Sequence, residues 1–92
     1  MAFEWHEDKR RRNLADHKID FVRAVDVFDG RPGYTHHSPR QGEDRWATVA
    51  IVEGRFMTVV WTWRDGNRRL ISARRSRDAE KRAYRRLHGG GD

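Results

Sequence analysis

The stretch from Arg45 to Arg75 holds three apolar, β-branched and aromatic runs separated by two glycine-containing dipeptides, and few architectures accommodate that pattern. Arg45 to Val52 and Arg55 to Trp63 are joined by Glu53-Gly54, and Asp65-Gly66 leads on to Arg68 to Arg75. Two residues of this kind between strand-like runs predict tight hairpins, so the segment reads as an antiparallel meander. In its second strand Met57, Val59, Trp61 and Trp63 point one way, and Phe56, Thr58, Val60 and Thr62 the other. One face is fully apolar and the other mixed, as in a central strand covered completely on one side and partly on the other. In the third strand, alternation groups Leu70, Ser72 and Arg74 on one face and Arg69, Ile71, Ala73 and Arg75 on the other. Tyr34 to Ser38 could add an edge strand.

Helical patterns flank the meander. Phe3 to Trp5 reads as a short strand or anchor, and His6 to His17 as a polar helix whose chief apolar residue is Leu14. Asp20 is a candidate N-cap, and Phe21, Ala24, Val25 and Phe28 then fall at i, i+3, i+4 and i+7. "DGRPG" (Asp29 to Gly33) ends that helix. Ser76 is the expected cap of a last helix with Ala79, Ala83 and Leu87 as its apolar stripe. Its acids, Asp78 and Glu80, come first and its arginines last, which suits the helix dipole. The expected fold is therefore α+β: two N-terminal helices, a meander of three to four strands, and a C-terminal helix. Residues 1–88 read as a single domain and residues 89–92 as a flexible tail.

Charge is distributed unevenly over this frame. Of 20 basic residues only Lys9, Lys18 and Lys81 are lysines, and the net charge is +6. Arg64 to Arg86 carries ten basic residues against Asp65, Asp78 and Glu80, so this segment holds the whole excess. The planar guanidinium fork matches phosphate bidentately, and such a field points to nucleic acid or another polyanion. The alternative is an ordinary solvated, arginine-rich face. There is no cysteine, so a disulfide framework and a cysteine-based zinc site are excluded. No apolar run is long enough to span a membrane and no secretory signal is visible, so a soluble cytoplasmic protein is expected.

An ordered set of short motifs then resembles the BrnT family. Its N-terminal half is matched by "FEW" (Phe3 to Trp5), by Lys9, Asn13, His17 and Phe21, and by "VFDG" (Val27 to Gly30). Glu43 and Arg45 before the strand to Ile51 continue the match, as do "VVWTWR" (Val59 to Arg64), "RLISARRS" (Arg69 to Ser76), Glu80 and Tyr84. His6 stands where the family has Asp, and Lys18 where it has a glycine after the histidine. The resemblance implies a RelE-like fold and a ribonuclease toxin of a type II toxin–antitoxin system. It also implies neutralisation by a BrnA-like antitoxin, with operator DNA reached only through that antitoxin.

RNA cleavage without a metal uses the 2′-hydroxyl as nucleophile. It needs a base for that proton, donors for the phosphorane charge and an acid for the leaving oxygen. No HExxH, no paired carboxylates and no Ser-His-Asp signature occur, and His36 and His37 point apart on a strand, so no metal or other cofactor is expected. His17 is the first candidate for proton transfer because its titration range suits it, with Lys9 as the other. Lys9, Asn13 and His17 share one helix face at i, i+4 and i+8. Arg64 and Arg74 complete the candidate catalytic set, at opposite ends of a strand and lining one extended groove. Arg75, Asn13, Tyr84 and Glu80 form the candidate substrate-binding set. A structural pairing of Glu80 with one arginine and a packing role for Tyr84 remain as alternatives. A non-catalytic basic nucleic-acid-binding module would share the same charge, and only the ordered motifs favour the enzyme.

Overall fold

Both hairpin dipeptides adopt the backbone their sequence demands. In the computed structural model, which describes residues 2–89, Glu53 and Gly54 have φ of 53° and 76°, and Asp65 and Gly66 have 50° and 81°. Positive φ at both positions is the type I′ signature that matches strand twist. The strands are β1 (Phe3–Glu4), β2 (Gly33–His37), β3 (Trp46–Val52), β4 (Arg55–Arg64) and β5 (Asn67–Arg75). They form one sheet in the order β1-β5-β4-β3-β2. Strands β2 to β5 are the antiparallel meander, and β1 pairs in parallel with β5 through Phe3–Arg68 and Glu4–Arg69. The sheet thus has five strands rather than three or four, and a strand precedes the first helix.

The helices are α1 (Glu7–His17), α2 (Phe21–Ala24) and α3 (Asp78–His88). His6 caps α1, its Nδ1 accepting from the Asp8 amide at 3.3 Å. Asp20 caps α2 as expected, but the expected long helix is one α turn followed by a 3₁₀ turn over Val25–Phe28. The expected stripe points inward only in part: Phe21 and Ala24 are buried, Val25 and Phe28 half-buried, and the 3₁₀ turn buries Val27 in their place. Together with Ile19 they pack on Ala50, Val52, Met57, Val59, Trp61, Leu70 and Ala73. Phe3, Phe28, Trp46, Trp61 and Trp63 extend this layer as a chain of ring contacts 5.1 to 5.5 Å apart. Trp63, expected in the core, lies at its rim and is half-exposed.

The third strand departs from simple alternation. Val60 pairs with Ser72 but Trp61 pairs with Leu70, so Ile71 is an extra residue in β5. A bulge of this kind shifts the two-residue period by one. Leu70 and Ala73 therefore lie together in the core, and Arg69 joins Ser72 and Arg74 opposite Thr62, Val60 and Thr58. The expected grouping, with Leu70 beside Arg74 and Arg69 beside Ala73, is corrected accordingly.

α3 covers part of the other face, against β2 and β3. Its first residue follows Arg77, not Ser76, and Ser76 is buried with its hydroxyl on Thr58. The expected stripe is also displaced. Ala79 and Leu87 are exposed, while Glu80 and Tyr84 are buried, Tyr84 edge-on to Phe56 at 5.2 Å. A carboxylate drawn to an arginine under the helix sets this rotation in place of an apolar seam. Gly89, placed in the tail by the sequence reading, closes α3 with φ 65°; residues 90–92 of that expected tail lie outside the described residues.

α1 is held along the free edge of β5. Asn13, buried on α1, donates through Nδ2 to the carbonyls of Ile19 (2.8 Å) and Ala73 (2.9 Å). Its Oδ1 accepts from the Ala73 amide at 3.0 Å. One side chain thereby replaces a neighbouring strand where β1 has ended. Removing it leaves three buried backbone groups without that partner, each costing about 1–3 kcal/mol. Asn13→Ala is expected to lower unfolding free energy by about 3 kcal/mol or more, read as a lower urea midpoint at unchanged slope. A loss below about 0.5 kcal/mol would show that water takes over the pairing.

Candidate active site

Where α3 does not reach, the face bearing Thr58, Val60 and Thr62 is open and forms a groove of two adjoining clefts. The first, about 420 Å³, is lined by His17, Ser38, Pro39, Arg40, Arg45, Val60, Ile71, Ser72, Arg74 and Arg77. The second, about 290 Å³, is lined by Lys9, Glu43, Arg45, Thr62, Trp63, Arg64, Arg69 and Ile71. Arg45 and Ile71 border both, so the clefts are continuous. A smaller hollow of about 160 Å³ beside α1 joins Lys9, Asn13 and His17 with Ile71 and Ser72.

The structure divides the expected catalytic set into two pairs. His17 and Arg74 border the first cleft; Lys9 and Arg64 border the second. Arg64 pairs with Asn67 and Arg74 with Thr58, six residues apart on β4, which is about 20 Å at ~3.3 Å per residue. The two arginines thus mark the ends of a groove, as expected, and do not meet at one phosphate. Arg75 faces the opposite side of the sheet, beside Met57. Asn13 lines the hollow, but both ends of its amide are engaged with backbone. Tyr84 and Glu80 lie under α3.

Glu80 organises the first cleft from beneath. Its carboxylate takes both Arg74 terminal nitrogens, at 2.8 and 3.0 Å, in a bidentate pair. It also accepts from the Arg77 amide at 2.7 Å and from the Thr58 hydroxyl at 3.1 Å. Because Thr58 spends its proton on Glu80, Ser76 donates to Thr58 across their 2.8 Å contact. His36 Nε2 lies 3.5 Å from the second carboxylate oxygen. Burial acts to raise the Glu80 carboxyl, but the Arg74 guanidinium, the Arg77 amide and the Thr58 hydroxyl outweigh it and hold it at about 2. The carboxylate is therefore charged wherever the protein is folded near neutrality, and Arg74 is fixed in direction.

Four arginines of the groove, Arg40, Arg45, Arg69 and Arg77, lie outside the candidate set expected from the sequence. Arg45 is steered by Glu43 at 2.6 Å and stands between the two clefts. Arg40 is carried by a small hairpin in which Arg40 and Glu43 exchange backbone hydrogen bonds around Gln41-Gly42, at φ 51° and 81°. Arg69 enters by the Ile71 bulge and is held by Glu4 at 2.7 Å. A Gln-Gly dipeptide is a weak turn signal, and a bulge has none in a run of this composition. Arg45 was legible only as a motif residue at a strand start.

Among the described residues, no group of three or more His, Asp or Glu side chains is gathered as a metal site. No helix there is long and apolar enough to cross a membrane. The family model for the BrnT ribonuclease toxin of type II toxin–antitoxin systems matches residues 5–80. No curated protein matches the chain.

The Glu80 pairing predicts an acid limb in stability. A carboxyl held below its ordinary value near 4.5 stabilises the fold above that value, and the contribution is lost as pH falls towards about 2. Glu80→Gln is expected to be less stable than the parent at pH 7, with the difference closing between pH 4.5 and 2. Parallel urea midpoints for the two proteins across that window would show that Glu80 is not the group responsible.

Proposed function

Because the chain belongs to the BrnT family of ribonuclease toxins of type II toxin–antitoxin systems, we propose that the groove cleaves RNA without a metal ion. The observation that carries this reading is the convergence of His17, Arg45 and Arg74 on one cleft, continuous with a second that carries Lys9 and Arg64. The RNA backbone lies along the groove, its phosphates between the arginines at either end. The ribose 2′-oxygen attacks the adjacent phosphorus, the bond to the 5′-oxygen breaks, and the products are a 2′,3′-cyclic phosphate and a 5′-hydroxyl. Arg74, directed by Glu80, and Arg45, directed by Glu43, donate to the phosphorane oxygens as their charge grows. His17 or Lys9 takes the 2′ proton, and a protonated His17, lysine or arginine neighbour supplies one to the leaving oxygen.

Membership also gives the chain an antitoxin partner and an RNA substrate. Messenger RNA is the proposed substrate, and the proposed partner is a BrnA-like antitoxin, through which operator DNA is reached. Arg64, Arg77, Arg82, Arg85 and Arg86 have no carboxylate in ion-pair range among the described residues, and they suit an acidic partner laid across the cleft.

The test is incubation of the purified protein with RNA in excess EDTA. Cleavage is expected to persist and to leave cyclic phosphate ends. Arg74→Ala is expected to slow it by about 10²–10³-fold, the scale of losing one donor to a developing oxyanion. Arg82→Ala, on the exposed side of α3, serves as the charge control and is expected to change it little. Activity abolished by chelator and restored by Mg²⁺ would overturn the mechanism, and RNA binding with no cleavage would return the chain to a binding module.

A further inference from the structure

The end of β5 and the end of α1 each send consecutive side chains to opposite sides of the molecule. Arg74 and His17 border the catalytic cleft, while Arg75 and Lys18 border a separate cavity of about 340 Å³ on the other face. This second cavity has an apolar floor of Ile19, Val52 and Met57, all buried. Its remaining wall includes Arg55, from the start of β4, and Arg23. The two carboxylates present are already engaged, Glu53 with Arg23 at 3.3 Å and Asp20 with Arg10 at 3.0 Å. Lys18 Nζ donates to the Ala15 carbonyl at 3.1 Å, and among the described residues Lys18, Arg55 and Arg75 have no carboxylate in ion-pair range, so the hollow carries four cations against two carboxylates, both of them engaged.

The backbone is strained at two points of the rim. Lys18 closes α1 at φ 60°, and Glu53 opens its turn at φ 53°. A side chain at such a position costs on the order of 1 kcal/mol relative to glycine. At residue 18 that cost keeps a cation in the cavity where a glycine would close the helix without strain. An excess of cations over carboxylates in one hollow raises the local concentration of anions there.

We propose that the Lys18–Arg55–Arg75 cavity is a second phosphate subsite, which holds the backbone of the same RNA strand after it passes over the His17-Lys18 and Arg74-Arg75 ridge. The inference rests on the groove being an RNA site. It adds that the strand is gripped on both faces of the sheet, with cleavage on one side only. Continuity with the catalytic cleft through two pairs of adjacent residues favours a single polyanion over a separate acidic protein. A long single strand would engage both sites; a trinucleotide would fill the cleft alone.

The test uses uncleavable 2′-O-methyl oligonucleotides of three and twelve nucleotides, with affinity read by fluorescence anisotropy across a salt series. Arg55→Ala combined with Lys18→Gly is expected to weaken the twelve-mer by about tenfold and to lessen its salt slope by about 1.4, the effect of two lost phosphate contacts on a single strand. The three-mer should bind as before. Lys18→Gly alone relieves the strained cap, so its urea midpoint should stay level or rise while twelve-mer affinity falls, which separates binding from folding. Unchanged twelve-mer affinity and slope would overturn the subsite, even where RNA cleavage stands. Equal losses for both lengths would show general electrostatics and overturn it too. A loss confined to the complex with an acidic protein partner would make the cavity a protein site instead. Should the parent protein fail to cleave RNA yet lose twelve-mer binding in the variant, the subsite stands and the ribonuclease mechanism falls.

Discussion

The β5 edge would be an open row of backbone groups without Asn13. β1 pairs with only two β5 residues, Arg68 and Arg69, and the amide and carbonyl of Ala73 both go to one side chain on α1. That side chain also takes the Ile19 carbonyl, which fixes how the chain leaves α1. Arg10 reinforces the turn by bonding Asp20 at 3.0 Å. With the register of α1 set this way, the side chains one turn before and after Asn13 cannot avoid the groove. Lys9 and His17 are delivered by a residue that is itself committed to backbone pairing.

The second constraint is a charge. Arg74 needs a partner to be held in one direction, and Glu80 needs several donors to stay ionised at a buried position. Thr58, Ser76 and the Arg77 amide supply the rest of that network. α3 is seated by this polar knot together with the Phe56–Tyr84 contact, so one of its main ties to the sheet is also the support of a groove arginine. Fold and candidate chemistry thus share residues, and substitutions at Glu80 act on both.

The meander was legible because its turns have a strict requirement: Glu53-Gly54 and Asp65-Gly66 sit where both residues need positive φ, and the glycines mark them. Lys9 and His17 were legible on one face of α1 for the equally simple reason of helical period. What escaped depended on contacts between distant parts. The Ile71 bulge follows from how β5 fits β4, and nothing in "RLISARR" distinguishes it. Ser76 looks like a cap by residue type, but Thr58 claims its hydroxyl. Ala79, Ala83 and Leu87 have the right spacing for a buried stripe, yet with Glu80 and Tyr84 turned to the sheet Ala79 and Leu87 are exposed and Ala83 is half-buried. The groove was therefore anticipated as a line from Arg64 to Arg74, while Arg69 and Arg45 entered it through tertiary pairing.

The Asn13–Ala73 contact joins residues 60 positions apart, and Phe3 meets Arg68 over a similar span. The hairpins between β3, β4 and β5 close over short loops, which is entropically cheap, whereas the N-terminal segment must wait for a distant strand. Synthesis proceeds in the reverse order of that need: β1 and α1 leave the ribosome first and have no edge to dock on until β5 follows. His17 and Arg74 are accordingly brought to the same cleft only by a long-range closure, so a chain that ends before β5 lacks an assembled cleft.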